Sequence, residues 1–184
     1  MKKLLAVLCL CSVILCEEKP GVWLDVPFFK QEKDGCGAAG IAMVMQYWLG
    51  QQKNTSAAAA AAADPVVIQH ALYSKQGHGI YASDLERYFQ EHGFRVFSFH
   101  GTWEDLKHHL EQGRPLIVAL KPTELNAELH YSVVAGLDWE QSIVLLNDPA
   151  VRKLLKQDRA SFEKQWSNAG RWTLLAVPQQ GRTE

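Results

Sequence analysis

Four residues have types and spacing that could do covalent chemistry: Gln31, Cys36, His130 and Asp148. Cys36 stands between Gly35 and Gly37 in QEKDGCGAAGIAMVM, at the head of a long apolar run. A nucleophilic cysteine reacts as the thiolate, and an ordinary thiol, titrating near about 8.5, is mostly protonated at neutral pH. The exposed N–H groups and dipole of a helix N-terminus favour the thiolate, and a paired imidazole favours it further. Cys36 is placed for the first effect. The flanking glycines let the backbone turn tightly and let a substrate come close.

The second effect needs a histidine. Most of the seven histidines fall on expected helices or loops among charged residues. His130 instead opens an apolar β-type run, HYSVVAGLD, which SIVLLNDP follows across Trp139-Glu140-Gln141. A hairpin turn centred on Trp139 sets His130 directly opposite Asp148, and opposed side chains share a face with Cβ atoms about 4.5–5.5 Å apart. Asp148 would then orient the imidazole and support its charged form. A one-residue slip would break that pairing. Gln31 supplies an amide just upstream of Cys36. With the backbone N–H of the nucleophile it could hold the oxyanion of an acyl transfer.

Each residue taken alone has a plainer reading. A free cysteine is often a small buried core residue, Asp-Pro is a common turn, and a glutamine is usually a surface side chain. A zinc site has little support: there is no H-E-x-x-H, and His108 and His109 are adjacent. No metal and no cofactor are expected.

These residues need elements to hold them. VWLDVPFF reads as an extended lead-in. A helix begins near Cys36 and runs to Leu49; it is apolar all round, hence buried, with Gly50 as a left-handed cap. Ala57–Ala63 is a low-complexity insert, read as a solvent-side loop or short helical spacer. Asp64-Pro65 starts the next helix, Asp64 capping and Pro65 in the first turn. Ser83-Asp84-Leu85-Glu86 is a capping-box pattern for a helix that Gly93 closes. Thr102 caps WEDLKHHLEQ, which Gly113 closes. FRVFSF, PLIVAL, the two hairpin runs and RWTLLAVP read as strands, and Asp158 or Ser161 starts a helix over FEKQW. The expectation is one α+β domain over residues 17–184.

The opening MKKLLAVLCLCSVILC has two lysines and then 12 apolar-run residues, Leu4 to Leu15. That is the layout of a secretory signal over residues 1–16, too short for a comfortable membrane span. Val13-Ile14-Leu15-Cys16 gives the alternative of a lipoprotein signal, with membrane attachment through a lipid on Cys16. The expected location is therefore outside the cytoplasm. With Cys9, Cys11 and Cys16 in or at the edge of the leader, Cys36 is the one cysteine certain to remain, and one cysteine forms no internal disulfide. The net charge of −1 shows no broad basic field, so no nucleic-acid partner is expected. A monomer acting on a peptide or protein is the expected state.

VPFFKQEKDGCGAAGIAMVMQYW resembles the N-terminal motif of cysteine peptidase family thirty-nine, the bacteriocin-processing or double-glycine leader peptidases. LHYSVVAGLD, VLLNDPA and SFEKQW resemble its later segments, so the resemblance spans Val26 to Val177. It departs where the family often has Asp before the cysteine and Pro or Ser after Cys-Gly; here Gly35 and Ala38 stand. The resemblance implies a papain-like fold, Cys36 as nucleophile, His130 as base, Asp148 as orienting residue and Gln31 in the oxyanion hole. It implies a stand-alone thiol peptidase working through an acyl-enzyme. The rival readings are a non-catalytic peptide-binding module of the same fold and a peptidoglycan amide hydrolase.

Overall fold

A strand that is apolar at every position needs cover on both faces, and LIVAL is such a run. It forms β3 (Leu116–Leu120), in which every residue is buried. The computed structural model describes residues 20–52, 54–124 and 127–179. The leader reading over residues 1–16 lies outside the described residues. No helix among the described residues is long and apolar enough to cross a membrane.

The other elements in chain order are β1 (Gly21–Trp23), α1 (Cys36–Leu49), α2 (Ala57–Ala62), α3 (Pro65–Leu72), α4 (Ala82–Glu91), β2 (Phe94–His100) and α5 (Trp103–Glu111). After β3 come β4 (His130–Asp138), β5 (Ile143–Asp148), β6 (Arg152–Asp158), α6 (Arg159–Asn168) and β7 (Trp172–Pro178). The strands form one antiparallel sheet in the order β2-β7-β3-β4-β5-β6, with β1 beside the far end of β4. This is the expected α+β, papain-like arrangement of an N-terminal helix on an antiparallel sheet.

The sheet separates two cores. Ile117, Ala119, Tyr131, Val133 and Leu174 face the cluster built around α1, α3 and α4. Leu116, Val118, Val134, Leu146 and Leu175 face the cluster holding Trp103, Leu106, Leu110, Phe162 and Trp166 of α5 and α6. The period-2 alternation of the strands thus feeds both layers. On α1, Ile41, Met43, Val44 and Met45 are all buried, each worth roughly 1.5–3 kcal/mol relative to exposure. That burial fixes the position of Cys36 at the helix head.

Several expectations need correction. Gly50 takes a right-handed conformation (φ −64°, ψ −16°) and caps α1 by donating its N–H to Gln46 O. The Ser83 capping box does not form. Tyr81 is the N-cap, so Ser83 already lies inside α4, and the cap has no side-chain hydrogen bond. The alanine run takes the helical one of its two expected forms, capped by Ser56, but its end packs: Ala63 is fully buried and its carbonyl accepts from Gln46 Nε2 at 3.1 Å. Gly93 (φ +81°) and Gly113 (φ +71°) do close their helices in the left-handed region. Asp158 caps α6, accepting from the Ser161 N–H at 2.9 Å.

The hairpin register also differs. Val133 pairs with Asn147 and Leu137 with Val144, with an irregularity between Val134 and Gly136. His130 pairs instead with Leu120 of β3. The turn sits further along than Trp139, and the bulge takes up one residue. Asp148 therefore comes level with Ser132, not His130.

Candidate active site

The turn before α1 is braced from outside. Asp34 is left-handed (φ +56°), an unusual conformation for a residue with a side chain. Tyr73 donates its hydroxyl to Asp34 Oδ2 at 3.1 Å, so the end of α3 clamps this turn. Gly35 follows as the N-cap, with no side-chain cap on the helix start. The first N–H groups of a helix have no partner within it, so the Cys36 N–H makes no hydrogen bond inside α1. Gly37 serves packing instead of substrate approach: a Cβ there would lie 3.1 Å from Ile80 Cβ. Cys36 is partly buried and is a free thiol.

His130 and Asp148 meet despite the shifted register. Positions 130 and 132 share a face of β4, so Asp148, level with Ser132, reaches His130 along the diagonal. His130 Nε2–H donates to Asp148 Oδ1 at 2.9 Å. The same oxygen accepts the N–H groups of Ala150 at 2.9 Å and Val151 at 3.3 Å. Cys36 lies near enough to the ring for its side chain, too, to favour the imidazolium. Burial pulls the His130 pKa down, but hydrogen bonds with Asp148 and Cys36 outweigh it and push it up to about 9. Burial pushes the Asp148 carboxyl up, but the His130 hydrogen bond and charge and the two turn N–H groups hold it below its usual range. At neutral pH the pair is imidazolium and carboxylate.

Gln31 is sewn to the same joint. Its N–H donates to Pro149 O at 2.9 Å, directly after Asp148. Its side-chain Oε1 is buried without a partner among the described residues. One residue that sequence reasoning passed over completes the seam. Asn147 is fully buried; its Nδ2 donates to Val26 O at 3.1 Å and its Oδ1 accepts from the Leu154 N–H at 3.0 Å. The lead-in carrying Gln31 and the strand end carrying Asp148 are therefore tied together by hydrogen bonds.

The cleft at Cys36 has a volume of about 330 Å³ and is walled by the loop 77–82 and by Glu128, Leu129 and Tyr131. None of these was singled out from sequence. The loop is tied by Ser74 and Gly79, which exchange backbone hydrogen bonds. Gly77 lies so near the Tyr81 ring that a Cβ would sit 2.8 Å from it. Tyr131 stays a neutral phenol, its pKa raised by burial and then by Cys36 and Glu86. For Tyr131, the alternation along β4 was the usable signal. Among the described residues no group of three His, Cys, Asp or Glu could hold a metal ion.

Structural comparison finds the same fold in known cysteine peptidases. A C39-like peptidase from Bacillus anthracis matches with a TM-score of 0.68 and 19% identity, covering 88% of this chain and 99% of that one. A double glycine motif protease from an AMS/PCAT transporter, in complex with the leader peptide, matches at 0.63 and 19%, over 86% and 95%. Interpain A, a cysteine protease of Prevotella intermedia, matches at 0.52 and 12%, over 88% and 96%. At these identities the likeness is one of fold. Among curated proteins no relative matches the chain. The model of the Peptidase_C39 like family matches residues 23–174, and the chain belongs to that family.

Proposed function

We propose that the protein is a cysteine-type peptidase that hydrolyses peptide bonds through an acyl-enzyme on Cys36. The observation that carries this reading is the His130–Asp148 contact of 2.9 Å beside the thiol at the head of α1. His130 already holds the proton that Cys36 has given up, and the thiolate sulfur attacks the scissile carbonyl carbon. The Cys36 N–H and the Gln31 side chain hold the resulting oxyanion. As the C–N bond breaks, the imidazolium gives its proton to the leaving amine. Water then attacks the thioester, His130 taking its proton, and the acid departs as the thiol re-forms. Asp148 keeps the imidazole oriented and stabilises its charge throughout.

The substrate in this reading is an extended peptide lying across the Cys36 cleft. The double glycine motif protease was solved with a leader peptide bound, and a peptide of that kind is the first one to try. Export through the segment 1–16 belongs to the same proposal and is checked by the N-terminal mass of the protein from its host. The activity is tested by digesting a peptide library with wild type and Cys36→Ala. Cleavage by wild type alone supports the peptidase. Binding without cleavage by either protein favours the non-catalytic module, and equal cleavage by both removes Cys36 from the mechanism.

A further inference from the structure

A second cavity, of about 310 Å³, reaches His130 and Asp148 from the opposite face of the sheet. Its other walls are Leu120 at the end of β3, Pro122 just beyond it, Ala150 between β5 and β6, Leu155 and Gln157 of β6, and Gln165 of α6. The placement follows from strand alternation. Leu155 pairs with Leu146 and Gln157 with Val144, and both partners face the α5–α6 core. Asp148 and His130 lie on that face too, by the two-residue period of β5 and β4. The Cys36 cleft lies on the α1 face, and the two cavities share no lining residue. The His130 and Asp148 side chains thus open to a cavity separate from the one that Cys36 lines.

This arrangement has a chemical direction. The acyl half of a substrate becomes bonded to sulfur, and the amine half leaves with a proton from His130. We infer that the Leu120–Leu155–Gln157–Gln165 cavity is the subsite for the leaving half, selecting an uncharged aliphatic residue, and that it also receives amines as acyl acceptors. The inference rests on the proposed acyl-enzyme. The walls are apolar at Leu120, Pro122 and Leu155, with amides at Gln157 and Gln165 to meet backbone groups. The one charged wall besides His130 is Asp148, already engaged, so an acidic residue there is repelled. In the acceptor reaction an amine attacks the Cys36 thioester, the C–S bond breaks, the amine proton goes to His130 and then to sulfur, and a new amide is released.

The test reads the step after acylation. The protein is acylated with the 4-nitrophenyl ester of acetylglycine at pH 8, with leucinamide, glycinamide or aspartamide present. The ratio of amide to acid product is set after acylation, so it does not depend on how fast the ester is consumed. Leucinamide should be captured at least about tenfold better than glycinamide, the scale of discrimination an apolar pocket gives, and aspartamide should be captured worst. Gln157→Trp and Gln165→Trp fill the cavity from two different elements and should bring the leucinamide and glycinamide ratios within about twofold of each other. Equal capture by wild type, or a preference that survives both variants, overturns the subsite. A parallel measurement titrates leucinamide into Cys36→Ala and follows methyl resonances. Shifts at Leu120 and Leu155, with Leu129 and Ile80 unmoved, support the subsite even if no ester is turned over, in which case the acyl-enzyme fails separately. No shift at Leu120 and Leu155 overturns it.

Discussion

Asp148→Asn removes one charge and little else. An asparagine oxygen can still accept from the Ala150 and Val151 N–H groups, so the turn that Asp148 caps is kept. What is lost is the anion 2.9 Å from His130 Nε2. Burial alone lowers the His130 pKa; Asp148 and Cys36 together carry it past the ordinary 6.5 to about 9. That rise is worth about 3.5 kcal/mol at about 1.4 kcal/mol per pKa unit. Without the carboxylate, His130 should titrate near or below its ordinary value. The imidazolium that the proposed mechanism needs to protonate the leaving amine is then scarce at neutral pH, and the ring loses the partner that fixes its tautomer. Turnover of a cleavable peptide should fall by about 10²–10⁴, the scale seen when a triad carboxylate becomes an amide. The assay pairs peptide hydrolysis with NMR titration of His130 and iodoacetamide labelling of Cys36 across pH. Unchanged hydrolysis together with an unchanged His130 titration would refute the coupling argued from the structure.

The remaining expectations follow from the same contacts. The folded-state pKa of His130 is raised, so its stabilisation is fully present below about pH 6.5 and lost as pH rises through about 9. That of Asp148 is lowered, so its share is present above its ordinary range and lost as pH falls through the folded value. Urea unfolding should therefore show wild type most favoured over Asp148→Asn near pH 4–6.5, by at most about 3.5 kcal/mol; a pH-independent difference counts against the ion pair. Gln31→Ala should lower turnover by about 10²–10³ while leaving the pH profile of Cys36 labelling in place; a moved profile would assign Gln31 to the thiol instead of the oxyanion. Asn147→Ala leaves the Leu154 N–H and the Val26 carbonyl without partners and should cost about 2–4 kcal/mol in urea unfolding; a loss under 0.5 kcal/mol, about the scale of a neutral surface change, would show that the seam is not structural. Ala63→Leu should cost about 1–3 kcal/mol by overpacking a fully buried site, whereas exposed Ala58→Lys should stay within about 0.5 kcal/mol. Equal effects would mean that the alanine run is uniformly free.

The elements with strong local signals are legible in the sequence. Asp64-Pro65, Thr102 and Asp158 cap helices because their side chains can reach the next free N–H groups, a property of a few consecutive residues. Tyr81 replaced Ser83 as a cap because α4 starts where the tied loop delivers the chain, and that loop is held by Ser74–Gly79 bonds outside any helix pattern. Strand β6, RKLLKQD, escaped notice because it is a charged edge strand with several exposed side chains, and charge at an edge hides strand character. The His130–Asp148 pairing was read from a register that the protein does not adopt. It survives because the bulge near Ala135 moves Asp148 by an amount that a diagonal reach restores. Asn147 and the Cys36 cleft wall could not be read locally: their roles depend on partners more than 100 residues distant for Asn147, and on a loop and a strand end brought together at Cys36.

The central claim is that an acyl group passes through the sulfur of Cys36. The direct measurement is an acid quench of the protein during turnover of an activated acyl ester or cleavable peptide, followed by peptide mass mapping. The account predicts an acyl mass on the peptide containing Cys36, appearing before product and decaying with it, and absent from Cys36→Ala. Steady product formation with no adduct on Cys36, or with undiminished rate in Cys36→Ala, would contradict it.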